Sequence, residues 1–146
     1  MALDPYASHL PILRSVLALI KPEKVLEFGA GFHSTPCFLE RPELKRLISV
    51  EADPGWRKQV AEHCADDRLV LRPDKRVVPA AFDLIFIDDG QNATERLDTI
   101  RFVLSQTHPP VVIHDAEVPQ YATAIKELAT MHSIYPTKPE TAVVWK

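Results

Sequence analysis

The chain has 146 residues and a formal net charge of −3, with thirteen prolines but only four glycines. Its length fits one domain of ~100–200 residues, and 46% hydrophobic with 25% charged residues describes a chain that buries a core. The mildly acidic balance excludes the basic footprint of a non-specific nucleic-acid binder.

The first periodic segment carries Leu13, Val16, Leu17 and Ile20 at helical spacing, and Pro22 stops it. Its apolar stretch from Leu10 is broken by Pro11 and Arg14 and is far shorter than the ~20 residues of a membrane span. Asp4 stands where a signal peptide carries basic residues, so no leader is expected. Val25-Leu26-Glu27-Phe28 is a strand that ends in a tight turn at Gly29. Thr35-Pro36 has the form of a capped helix start, with a short helix to about Leu39.

Leu47 to Val50 is a second strand, ending at Glu51. Asp53-Pro54 repeats the cap-then-proline signal, and Trp56, Val60 and Cys64 mark one face of the next helix. Leu69 to Leu71 is a third strand, and the proline-broken stretch 72–81 is assigned no helix. Phe82 to Ile87 is the fourth strand. Ala93, Leu97, Ile100 and Leu104 then step along one helical face. Val111 to Ile113 is the fifth strand, followed by a helix with Tyr121, Ile125 and Leu128. Ser133 to Tyr135 and Thr141 to Trp145 close the chain.

Strands alternating with helices predict a doubly wound, mostly parallel α/β sheet of seven strands with helices on both faces. No helix fits between the last two strands, and a parallel crossover needs a dozen or more residues, so the C-terminal strand is predicted antiparallel. Without repeats or linker-like tracts, residues 1–146 read as a single domain, an N-terminal helix within 1–22 and a sheet over 24–146. Cys37 and Cys64 have no metal or redox spacing and read as reduced apolar residues, which predicts a cytoplasmic protein.

Glu27-Phe28-Gly29-Ala30-Gly31-Phe32-His33-Ser34-Thr35 spans the first strand-to-helix turn. In open parallel sheets such turns bind ligands: glycines let the backbone come close and helix-start amides donate. A dinucleotide is disfavoured because Ser34 takes the third glycine position and Glu27 would repel a pyrophosphate. Glu27 suits a ligand with an amino group instead. Glu51, at the second strand tip, suits both hydroxyls of a ribose. An ammonium and a free ribose diol without phosphates describe S-adenosylmethionine.

On Glu27-x-Gly29-x-Gly31 with Ser34-Thr35, the Glu51 strand tip, Phe82 to Asp88 and the closing hairpin, the sequence resembles the class I methyltransferases over about Lys24 to Lys146. The resemblance implies that Glu27, Phe28, Gly29, Ala30, Gly31, His33, Ser34, Thr35, Glu51, Ala52 and Asp88 bind the cofactor. It also puts the chemistry at the tips of strands four and five, Asp88-Asp89-Gly90-Gln91 and His114-Asp115-Ala116-Glu117. One reading makes His114 or Asp115 the general base for an oxygen or nitrogen acceptor. A second resemblance, to metal-dependent O-methyltransferases, places Asp88 and Asp115 on two ligand positions of a divalent cation. Ala116 stands at the asparagine position, with Glu117 as a substitute; the departure counts against a metal, and no metal ligand is assigned. His9, His63, His108 and His132 are read as surface or packing residues, and Trp56 and Trp145 as packing residues.

The expected function is therefore methyl transfer from S-adenosylmethionine to an acceptor the sequence does not identify, with a catalytically inactive binding module as the alternative. A nicotinamide-dependent oxidoreductase ranks below both. The short loops leave no lid over the site, which predicts a homodimer.

Overall fold

A computed structural model describes residues 4–90 and 92–145; Gln91 and both extreme termini of the expected domain, 1–3 and 146, lie outside it. Within the described residues the elements are α1 (Leu10–Ile20), β1 (Lys24–Phe28), α2 (Ser34–Leu39), β2 (Arg46–Val50), α3 (Pro54–His63), β3 (Leu69–Arg72), β4 (Leu84–Ile87), α4 (Ala93–Leu104), β5 (Val111–His114), α5 (Pro119–Leu128), β6 (Met131–Tyr135) and β7 (Thr141–Trp145). Short 3₁₀ turns precede α1 (Pro5–Ala7) and β4 (Pro79–Ala81).

The seven strands form one sheet in the order β3-β2-β1-β4-β5-β7-β6. The four neighbouring pairs from β3 to β5 are parallel, and β7 runs antiparallel to both β5 and β6. This is the predicted α/β architecture with its reversed final strand. The order reverses between β1 and β4, so the carboxyl ends of those strands diverge and open a crevice there.

Side chains alternate across the sheet. Leu26, Phe28, Ile85, Ile87, Val111 and Ile113 pack on one face with Ile100, Val103, Tyr121 and Ile125 of α4 and α5. Val25, Leu84, Phe86 and Val112 pack on the other with Leu13, Val16 and Leu17 of α1 and Cys37 and Phe38 of α2. Helix α3 adds Val60 and Cys64 beside Ala30, Leu39 and Leu69. Both cysteines are free and buried, and no helix of the described residues is long and apolar enough to cross a membrane.

Two local expectations are corrected. Helix α2 starts at Ser34 rather than after a Thr35 cap, and His33 at its N-cap makes no side-chain capping bond. Thr35 does not cap because its hydroxyl donates to Glu27 Oε1 (2.7 Å) and accepts from the Gly31 amide (3.0 Å). Strand β4 starts at Leu84, because Phe82 closes the 3₁₀ turn and Asp83 Oδ2 accepts the Glu23 and Lys24 amides that lead into β1.

Candidate functional site

The crevice at the β1/β4 tips holds two cavities that share Gly29, Ala30, Trp56 and Asp88 and so form two lobes of one groove. The first, about 380 Å³, lies over the β1–α2 turn and is also lined by Tyr6, His9, Phe32 and Ser34. The second, about 850 Å³, runs over the β2 tip to the segment after β3, lined by Glu51, Ala52, Asp53, Pro73, Lys75 and Asp89. Both fall within the ~300–1,000 Å³ range of small-molecule sites.

The turn is built from backbone constraints. Gly29 has φ +88°, and a Cβ there would stand 2.3 Å from the Asp88 carbonyl oxygen. This glycine lets β1 pass the β4 tip closely; its amide bonds Val50 O at 2.9 Å. Gly31 differs: a Cβ there meets only Ser34 Oγ, at 4.0 Å. Nothing in the fold forbids a side chain at Gly31, and the bare backbone faces the first lobe.

Glu27 lies where alternation puts it, on the face shared with Val25, and is fully buried. Its carboxyl accepts hydrogen bonds from Ser34 Oγ (2.5 Å), Thr35 Oγ1 (2.7 Å) and Ser49 Oγ (2.6 Å). Ser49 is its register partner on β2. Burial pushes this carboxyl up to about 7, against the pull of the three hydroxyl donors. The expected direct pairing of Glu27 with a ligand ammonium is corrected, since the group has no surface on either lobe and instead ties the start of α2 to β1 and β2. Phe28 is likewise buried, in the sheet core, and Thr35 is fully buried.

Of the other residues predicted for cofactor binding, Gly29, Ala30, Gly31, His33, Ser34, Glu51, Ala52 and Asp88 line the groove. Burial pushes the Glu51 carboxyl up, and its Oε1 accepts from the Asp53 amide at 3.1 Å. His33 pairs with Asp4 at 3.3 Å.

The expected catalytic pair lines neither lobe. His114, 4% exposed, contacts Ser8 Oγ through Nε2 (3.0 Å) and Asp88 Oδ1 through Nδ1 (3.1 Å). Asp115 adopts a left-handed backbone, φ 58°, and its carboxylate pairs with the guanidinium of Arg96. Arg96, 9% exposed, also donates from Nε to the Asp89 carbonyl (2.7 Å) and from Nη2 to Asp88 Oδ1 (3.1 Å), and it lies over the Tyr121 ring at 5.8 Å. The metal arrangement of the O-methyltransferases does not fit these residues. A guanidinium bridges Asp88 and Asp115 where the cation would sit, and Glu117 is turned away to accept the Glu140 amide.

Several groove residues escaped the sequence reading. Trp56 packs as expected but also donates from its indole to the Ala30 carbonyl (2.6 Å) and stacks near Phe32, 4.7 Å between centroids. Lys75 reaches Asp89 Oδ2 at 2.8 Å, while Asp89 Oδ1 is buried with no partner among the described residues. Arg96 was legible in principle: it lies one turn before Ile100 on the buried stripe of α4. His9 carried no spacing signal, yet it is 1% exposed and lines the first lobe.

No family model and no curated protein sequence matches the chain. Solved structures do. The methyltransferase domain of bacterial CtHen1 superposes with a TM-score of 0.73 at 12% identity, over 98% of this chain and 100% of that one. The O-methyltransferase from Bacillus cereus, in complex with SAH, gives 0.64 at 17% identity over 98% and 82%. The N-methyltransferase NodS from Bradyrhizobium japonicum gives 0.65 at 16% identity over 93% and 91%. The fold is that of the class I methyltransferases.

Proposed function

We propose that this chain binds S-adenosylmethionine in the two-lobed groove and transfers its methyl group to an oxygen or nitrogen acceptor. The observation that carries the reading is Gly31, a glycine that no neighbouring atom demands and whose bare backbone fronts the first lobe. Such a position serves close approach of a ligand to the main chain. Asp89 Oδ1 in the second lobe, buried and without a partner among the described residues, supports the same reading as an acceptor open to a ligand's donor.

Glu51 takes the ribose hydroxyls in this assignment, and Ala52 lies beside the base. The Gly29–Gly31 backbone, with His33 and Ser34, holds the amino-acid end. Asp88, which lines both lobes, replaces Glu27 as the acid available to the ammonium; Glu27 acts by fixing the turn. When bound, the cofactor supplies a sulfonium methyl that a nucleophile displaces in line, so the protein contributes mainly by position.

The alternative is a binding module without turnover, and one observation favours it: His114 and Asp115 are engaged with Ser8, Asp88 and Arg96 and lie off the groove. An acceptor screen read by formation of S-adenosylhomocysteine separates the two. Product formed with any acceptor establishes the enzyme, and cofactor binding without product across the screen favours the module. Glu51→Ala is expected to weaken cofactor affinity by ~1–3 kcal/mol, the cost of losing a hydrogen bond to a charged group. Unchanged affinity would remove Glu51 from the ribose.

A further inference from the structure

Three potential metal ligands meet beside the first lobe, and two of them, His9 and Asp88, line it. One ligand atom each from His9, Asp88 and His114 lies within 4.8 Å of the other two. They come from three places: the residue before α1, the tip of β4 and the last residue of β5. Alternation places His114 on the Val112 face of the sheet, under α1, where its ring stands 4.7 Å from that of His9.

His9 is 1% exposed, yet among the described residues neither Nδ1 nor Nε2 has a hydrogen-bond partner. A buried ring nitrogen left unpaired is costly and rare. The second observation lies between the other two residues. His114 Nδ1 faces a carboxylate oxygen, Asp88 Oδ1, at 3.1 Å, and its Nε2 lies 3.0 Å from Ser8 Oγ.

We propose that His9, Asp88 and His114 form a binding site for a divalent transition-metal ion of the zinc, cobalt and manganese class. Two imidazole nitrogens and one carboxylate oxygen suit those ions, and magnesium and calcium prefer all-oxygen sets. With Nδ1 of His114 on the ion, its Nε2–H would donate to Ser8 Oγ, 3.0 Å away, the outer-shell hydrogen bond that fixes the tautomer of a metal-bound histidine. Asp88 is steadied by Arg96, which meets the same oxygen as His114, Oδ1. Two of its three ligands, His9 and Asp88, line the first lobe. It shares only Asp88 with the carboxylate set that Arg96 occupies.

The test is calorimetry of chelator-stripped protein with zinc chloride, and absorption spectroscopy with cobalt chloride, both without cofactor. Metal binding read this way stands or falls separately from methyl transfer. The expected result is one equivalent of zinc and intense cobalt d–d bands, both unaffected by excess magnesium. His9→Ala and His114→Ala should each weaken zinc binding by ~100-fold or more, beyond what outer-shell losses cause. His132→Ala, on exposed β6, should leave it unchanged. Should His9→Ala fail to fold, His9→Gln keeps the side chain's bulk and removes the imidazole, and Asp88→Asn tests the third ligand. No binding by the wild-type chain would mean that a ring proton bridges His114 and Asp88, overturning the site. Binding that survives the ligand substitutions would mean an adventitious ion only, with the same consequence.

Discussion

Gly29 and Gly31 are two residues apart, and the structure gives them different work. At Gly29 a side chain would collide with the Asp88–Asp89 backbone, at 2.3 to 2.8 Å, in a backbone conformation that disfavours one. Gly29→Ala is therefore expected to destabilise the fold by about 2–4 kcal/mol, from left-handed strain plus overpacking. Gly31→Ala is expected to leave the melting temperature unchanged and to weaken S-adenosylmethionine binding by about tenfold, ~1.4 kcal/mol. Thermal melts alongside calorimetry check both, and a Gly31→Ala protein that binds as wild type would place the ligand elsewhere. Both glycines were conspicuous in the sequence as a strand-to-helix turn, but only coordinates separate a backbone crossing from an open cradle. Glu27 teaches the same lesson. Its position beside the glycines was plain, whereas its burial depends on Ser49, a cross-strand partner 22 residues away.

The Glu27 carboxyl also leaves a mark on stability. Its folded pKa, about 7, lies above the unfolded value of 4.5, so between those pH values the folded state holds the proton and the unfolded state has lost it. Its contribution to stability is complete below about pH 4.5, falls as pH rises toward 7, and is level above that. Glu27→Gln removes this slope. Urea denaturation from pH 4.5 to 7.5 should show the variant gaining stability relative to wild type as pH rises. A constant difference would mean that Glu27 titrates alike in both states.

Among the elements, helix starts divide by what their side chains do. Asp53 caps α3 as its cap-then-proline signal indicates, accepting the Trp56 amide at 2.7 Å. The same signal at Thr35-Pro36 misleads because a buried carboxyl claims the hydroxyl. Asn92 caps α4 by accepting the Glu95 amide at 3.1 Å, a signal that the apolar stepping from Ala93 overshadowed. Helix α4 is held to the sheet tips through Arg96, which joins Asp88, the Asp89 carbonyl and Asp115. Arg96→Ala would strand two acids and is expected to cost about 3 kcal/mol, the low end for a broken buried pair because both acids are partly exposed. Arg96→Lys should recover little, since one ammonium cannot span three acceptors. Denaturant midpoints check this; full stability in Arg96→Lys would show that the fork geometry is dispensable.

On the scale of the whole molecule, the strand order follows from a few local rules. Short apolar runs separated by helices dictate the parallel sheet, and the missing helix between β6 and β7 dictates the reversal. The crevice at the order switch then places the turn after β1 beside the tips of β2 and β4, so residues from 29 to 95 in sequence line one groove. What alternation and contact order hide from a linear reading is its far wall. Tyr6 and His9 arrive there on the segment leading into α1, which packs on the same face of the sheet as α2.

The central claim is that this groove takes a phosphate-free adenosyl ligand. Calorimetry of the purified chain with S-adenosylmethionine, S-adenosylhomocysteine and NAD tests it most directly. The account predicts one-to-one binding of both adenosyl compounds, weakened in Gly31→Ala and Glu51→Ala, and no binding of NAD. Binding of NAD without either adenosyl compound would contradict it.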